Sequence, residues 1–150
     1  MILDQTVTVQ APVDRVWEFM MDIPAVSRCV PGVQSLEQID ENTYLGALKV
    51  KVGPIGVTLQ GKVTVAERDR EALRSRLDVT AAEKRISSTV NAKATMTLVP
   101  KGENETELHI HTDAAILGKL GEFGQAVMRR KADQVMGEFA SNMQKALATG

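Results

Sequence analysis

The sequence predicts an α+β fold: one curved antiparallel sheet of seven strands around a long C-terminal helix, with two short helices after the first strand. Three observations carry this. From Val33 to Ile116, apolar and polar residues alternate in six runs with the period of two expected of half-buried strands. The separators between those runs are short turn sequences, which permit only antiparallel neighbours, because a parallel crossover needs about a dozen residues or more. Finally, Gly118 to Ala148 contains no proline and carries an apolar stripe at helical spacing.

The elements follow in order. Thr6 to Ala11 alternates, with Val7, Val9 and Ala11 on one face, and predicts the first strand. Pro12 ends it and is tolerated in the first turn of a helix, whose apolar face is Val13, Val16, Trp17 and Met20. Asp14 and Asp22-Ile23-Pro24 read as two helix starts, each with a carboxylate near the positive end of the dipole. Pro31-Gly32 keeps the second helix short. The six later strands are predicted at 33–39, 43–52, 55–67, 72–82, 85–99 and 105–116. Asp40-Glu41-Asn42, Gly53-Pro54, Arg68 to Glu71, Glu83-Lys84 and Lys101 to Asn104 separate them. Leu120, Phe123, Val127, Val135, Phe139 and Met143 form the stripe of the final helix, read as continuous from Gly118 to Ala148.

Strand parity selects the face that meets this helix. Leu48, Val50 and Val52 point inward, and Lys49 and Lys51 outward. Ile55, Val57, Leu59, Gly61, Val63 and Val65 share the inner face with Leu77 and Val79. Ile86, Val90, Ala92, Ala94, Met96 and Leu98 join them, as do Leu108 and Ile110. This inner set is almost free of ionisable groups, with Ser88 and Thr112 its main polar members. It is also short of bulk, since aromatic residues make up 3% of the chain and Gly61, Ala92, Ala94 and Ala114 are small. Small residues facing a helix across a curved sheet leave an apolar void, unless leucines and methionines fill it completely.

Composition excludes several classes. The chain has 150 residues, 43% of them hydrophobic, and a formal net charge of −1 from 18 Lys and Arg against 19 Asp and Glu. One domain over residues 1–150 is expected at that length. A nucleic-acid binder needs a basic face, which the charge balance disfavours. The single cysteine, Cys29, forbids an internal disulfide and fits a reducing compartment. Met1-Ile2-Leu3-Asp4 lacks the regions of a secretory signal, and no apolar run reaches the about 18 residues of a membrane span. These features predict a cytoplasmic protein without a transmembrane anchor.

The reactive side chains form no recognisable catalytic set. His109 and His111 lie on the outer strand face, with Glu107 and Asp113 beside them, and lack the further ligands a metal site requires. Cys29 has no identifiable histidine partner and reads as a small buried hydrophobe. Gly118, Gly121 and Gly124 precede no Lys-Ser/Thr and are not a phosphate loop. Arg129-Arg130-Lys131 is a short charge run, normally a solvated face, with an acidic membrane or partner surface as the lesser alternative. No metal and no cofactor are predicted.

Val9-Gln10-Ala11-Pro12-Val13-Asp14-Arg15-Val16-Trp17, Asp22, Cys29-Val30-Pro31-Gly32, Val52-Gly53-Pro54-Ile55 and Gly118-Lys119-Leu120-Gly121 resemble the G-subunit family of carbon monoxide dehydrogenase. That family belongs to the START-like (SRPBCC) helix-grip superfamily, and the resemblance covers nearly the whole chain. It implies a hydrophobic tunnel between sheet and long helix, no catalytic residues, and work beside a molybdenum hydroxylase in its maturation or membrane recruitment. Transient contact at the inner face of the membrane belongs to that expectation.

The ligand-binding residues expected from parity and this resemblance are Trp17, Met20, Val30, Val50, Leu59, Leu77, Val79, Val90, Ala92, Ala94, Met96, Leu120, Phe123 and Val127. Three functions remain open. One is a carrier of a lipophilic molecule, an isoprenoid quinone being the first candidate. Another is an adaptor with a solid interior that binds only protein. The third is a cyclase- or hydrolase-like enzyme, which needs a titratable group inside the cavity.

Overall fold

The computed structural model describes residues 1–149. Strand β1 (Ile2–Val9) leads into helices α1 (Val13–Met21) and α2 (Ile23–Cys29). Strands β2 (Val33–Asp40), β3 (Thr43–Val52), β4 (Ile55–Asp69), β5 (Arg74–Glu83), β6 (Ser88–Gly102) and β7 (Glu105–Leu117) follow, and helix α3 (Gln125–Thr149) closes the chain. All seven strands join one antiparallel sheet in the order β1-β7-β6-β5-β4-β3-β2. Consecutive hairpins build β2 to β7, and β1 adds to the free edge of β7. This is the α+β architecture that the alternation and the short turns predict.

The register confirms the parity of the inner face. One row across the sheet reads Tyr44, Val63, Val79, Ala92, Ala114. The next reads Val65, Leu77, Ala94, Thr112, Leu3. A third is made of Gly46, Gly61, Ala81, Val90 and Ile116. Small residues are concentrated in the middle of these rows, so the sheet presents a shallow apolar trough there.

Several boundaries differ from expectation: β4 runs on to Asp69, β5 starts at Arg74 and β6 reaches Gly102, and three further differences have a local cause. First, β1 begins at Ile2 and ends at Val9, leaving Ala11 outside. Gln5 hides the alternation because it points inward, where its Nε2 donates to Asp133 Oδ1 of α3 at 3.0 Å. Second, β6 starts at Ser88, and Lys84–Ile86 form a 3-10 turn closed by Ser87 at φ +48°. Ile86 is therefore a turn residue. Third, the final helix is not continuous from Gly118. Lys119–Phe123 form a 3-10 turn, and Gly124 at φ +85° breaks it from α3. A positive φ costs a glycine little and interrupts a helix without a proline.

The apolar residues gather in three clusters. Val9, Ala11, Val16, Trp17, Cys29, Met96, Leu98 and Leu108 receive Phe139, Met143 and Leu147 of α3. Val52, Val57, Leu59 and Leu120 form a second cluster, under Phe123, Val127 and Met128. Ile23, Tyr44 and Val65 form the third. Polar clamps fix α3: Arg15 Nη2 donates to Leu147 O at 2.7 Å, Asn142 Nδ2 to Cys29 O at 3.0 Å, and Gln10 N to Gln144 Oε1 at 2.7 Å. The helix is thus anchored at both ends, on two clusters, while the trough between them stays thinly covered.

Candidate functional site

Helix α2 decides where the uncovered part of the trough becomes a site. Its start is sharp: Asp22 Oδ1 accepts from Ala25 N at 3.2 Å, and Pro24 sits in the first turn. Its end is pinned to β3, because Lys49 N donates to Gly32 O at 2.8 Å. Gly32 has φ +90°, and a Cβ there would lie 2.2 Å from Lys49 O, so only glycine fits. Held at both ends, α2 lays Ile23, Val26 and Val30 over strands β2 to β5.

Between α2 and the sheet is a cavity of about 290 Å³. Its α2 wall is Ile23, Val26, Ser27 and Val30. The sheet wall is Val33, Ser35, Leu36, Gly46, Ala47, Leu48, Leu59, Gly61, Val63, Leu77, Val79 and Ala81. No ionisable side chain lines it. Ser27 Oγ is already committed, donating to Pro24 O at 2.7 Å. A smaller cavity of about 70 Å³ lies beside it, lined by Met20, Met21, Val65, Arg68, Ser75, Ala94, Met96 and Ile110. The two share Ile23, Val26 and Leu77 as a common wall. On the opposite sheet face, an open depression of about 720 Å³ mixes polar residues such as Gln60, Lys62, Thr80, Thr89 and Asn91 with Leu36, Leu45, Ala81 and Ala82.

The expected ligand-binding residues divide among these environments. Val30, Leu59, Leu77 and Val79 line the larger cavity, and Met20, Leu77, Ala94 and Met96 the smaller one. Trp17 packs in the first core cluster, with the Arg70 guanidinium 5.7 Å from its ring centroid. Val50, Val90, Leu120, Phe123 and Val127 pack together in the second cluster. Ala92 sits half-buried between Val79 and Ala114. Sequence reasoning missed Ile23, Val26, Val33 and Leu36, which face the cavity from α2 and the edge strand. Asp22-Ile23-Pro24 marks the helix that carries two of them, but seven residues are too few for a periodic stripe to reveal the buried face.

Polar groups elsewhere are accounted for locally. His109 Nε2 lies 2.8 Å from Glu107 Oε1, and His111 Nδ1 lies 2.6 Å from Asp4 Oδ1, both pairs on the outer face. Among the described residues, no three His, Cys, Asp or Glu side chains converge as metal ligands do. Cys29 is 5% exposed, and burial pushes its thiol above the ordinary range, against the smaller opposing effect of Arg28. It stays a protonated, apolar filler at neutral pH. No helix among the described residues is long and apolar enough to cross a membrane.

The fold recurs in solved structures. A conserved protein from Geobacillus kaustophilus superposes with a TM-score of 0.90 at 23% identity, over 99% of this chain and 96% of that one. A START superfamily protein from Mycobacterium smegmatis gives 0.72 at 11% identity, over 99% and 97%. Norcoclaurine synthase from Thalictrum flavum gives 0.65 at 17% identity, over 100% and 87%, so the same fold also serves an enzyme. No curated protein matches the chain. The family model of the carbon monoxide dehydrogenase G-subunit (CoxG) matches residues 6–148, and the chain belongs to that family.

Proposed function

We propose that the protein holds a segment of a long, neutral, mostly hydrocarbon molecule in the cavity between α2 and the sheet, and carries it for a carbon monoxide dehydrogenase-like molybdenum hydroxylase. An isoprenoid quinone is the first candidate, on the cytoplasmic side of the membrane. The observation that carries this reading is the 290 Å³ cavity whose lining contains no ionisable side chain. An unpaired carboxylate or phosphate would lose several kcal/mol there, at about the cost of an uncompensated buried charge.

The volume lies at the lower end of the about 300–1,000 Å³ usual for small-molecule pockets. It therefore takes one segment of such a ligand. Binding by desolvation and packing alone, against association costs of about 4–15 kcal/mol, leaves an affinity of about micromolar at best. A carrier that must release its cargo needs no more.

The cavity argues against the adaptor reading, which expects a solid interior. The lack of a titratable lining group argues against general acid–base catalysis there. The partner enzyme is proposed on family membership alone. The test is a Trp17 fluorescence titration of delipidated protein with a neutral isoprenoid quinone and with an anionic lipid of equal chain length. Quinone should bind, and Val79→Phe, which places a ring on the cavity floor, should weaken it at least about tenfold, a loss of about 1.4 kcal/mol. Equal or tighter binding of the anionic lipid refutes the assignment.

A further inference from the structure

The smaller cavity has a polar side that the larger one lacks. A bulge between Val65 and Glu67 shifts the parity of β4, so Arg68 comes into register with Ser75 of β5 and the two side chains share the inner face. The row continues through Met96 to Ile110. All four residues line the cavity of about 70 Å³, and Ser75 and Arg68 are the polar members of its otherwise apolar wall.

Ser75 is 5% exposed. The buried hydroxyls of Ser88 and Thr106 donate to Ile86 O and Ala11 O, but that of Ser75 has no hydrogen-bond partner among the described residues. A buried hydroxyl left without a partner is costly, and a group admitted by the cavity removes that cost. Arg68 stands at the exposed rim. Its Nη1 donates to Asn42 Oδ1 and its Nη2 to Glu41 O at 3.5 Å, both neutral acceptors. Among the described residues no carboxylate pairs with it, and a guanidinium has five N–H donors, so donors remain for a ligand.

We infer that Ser75 and Arg68 form a head-group subsite that takes one carbonyl oxygen of the cargo, while its tail lies in the larger cavity. This rests on the cargo reading above and adds an orientation to it. A carbonyl oxygen has two lone pairs, one for the hydroxyl and one for the guanidinium. A volume of about 70 Å³ takes a few atoms and not a whole ring, since benzene occupies a cavity of about 150 Å³. The carbonyl edge therefore enters, and the ring rests on Ile23, Val26 and Leu77, the wall that both cavities share. Leu77 is only half-buried and turns aside to join the two spaces. A neutral carbonyl suits this place better than a carboxylate. The β2–β3 and β4–β5 connections beside Arg68 carry Asp40, Glu41, Asp69 and Glu71, and their cations Arg70 and Arg74 are already paired with Asp14, Glu67 and Asp69.

The test is a Trp17 fluorescence titration of the full chain, delipidated, with two probes. Decylubiquinone is a neutral quinone, and decylbenzene has a ring and the same tail but no carbonyl. Ser75→Ala should weaken decylubiquinone about fivefold and Arg68→Gln about tenfold, while decylbenzene changes less than about twofold. Ser75→Thr keeps the hydroxyl and should stay within about twofold of the parent. Infrared spectroscopy should find the carbonyl stretch of bound quinone below its value in alkane solvent, and Ser75→Ala should move it back up. A purely structural Ser75 would not shift that band. Arg68 is exposed, so Arg68→Gln carries the test should a change at buried Ser75 disturb the fold. Suppose the parent binds decylubiquinone, and both variants match it in affinity and carbonyl frequency. The subsite is then overturned and the cargo reading stands. Equal losses for decylubiquinone and decylbenzene overturn the subsite as well. A parent that does not bind decylubiquinone refutes the cargo reading, and the subsite with it.

Discussion

Replacing Trp17 by alanine distinguishes a core side chain from a mobile gate at the site entrance. Trp17 is 7% exposed, contributes to the cluster with Val9, Val16, Met96 and Leu98, and lines neither cavity. An aromatic side chain buries about 150–250 Å², worth about 4–6 kcal/mol at about 25 cal/mol per Å². Truncations of buried Phe or Trp to Ala cost about 3–5 kcal/mol, since the void is partly refilled. Arg70 over the ring adds about 0.5–1 kcal/mol, the range for an exposed cation–π contact, and it also pairs with Asp14.

The expected loss for Trp17→Ala is therefore about 4–5 kcal/mol, a large share of the about 5–15 kcal/mol that holds a domain folded. With a urea slope of about 2 kcal/mol per M, the midpoint falls by about 2 M. Urea unfolding followed by far-UV circular dichroism measures this, because the variant has no tryptophan to report. Folded Trp17→Ala should retain quinone, assayed by extraction and absorbance. A loss under about 1.5 kcal/mol accompanied by lost quinone uptake would refute the core assignment and make Trp17 a gate.

Two further outcomes test the end of the sheet where α3 begins. Ser88 is 1% exposed, and its Oγ accepts from Leu120 N at 3.0 Å and donates to Ile86 O at 3.4 Å. Ser88→Ala strands the Leu120 N–H and should cost about 1–3 kcal/mol by calorimetry, whereas no change would mean that water replaces the hydroxyl. Glu83 is held below the ordinary glutamate range by hydrogen bonds from the Arg85 side chain and backbone N–H, with Thr58 N a smaller donor. A lowered folded pKa means stability that is present above the ordinary carboxylate range and is lost as pH falls towards the folded value. Glu83→Gln should therefore be less stable than the parent at pH 7 and lose less on acidification. Urea midpoints at neutral and acidic pH that fall in parallel for both proteins would contradict this.

The alternation of side chains is enough to settle most of the fold. Short turns force antiparallel neighbours, and a period of two assigns faces, so Leu77, Val79, Ala92 and Ala94 turn inward as their parity predicts. The same logic misses the first residues of β1, because Gln5 is a polar residue on the inner face, balanced by Asp133. It also runs α3 back to Gly118, because an apolar stripe does not register a single glycine at φ +85°.

The membership of the site is a different matter. Leu59, Leu77 and Val79 share their face with Val50, Val90 and Leu120, and local pattern makes no distinction among them. Only the placement of the helices separates them. Phe123, Val127 and Met128 cover Val50, Val90 and Leu120, whereas α2 stands off from β4 and β5 and leaves a cavity. Periodicity is local and can be read along one strand. A cavity is the volume that distant elements fail to fill, so it is decided by tertiary packing.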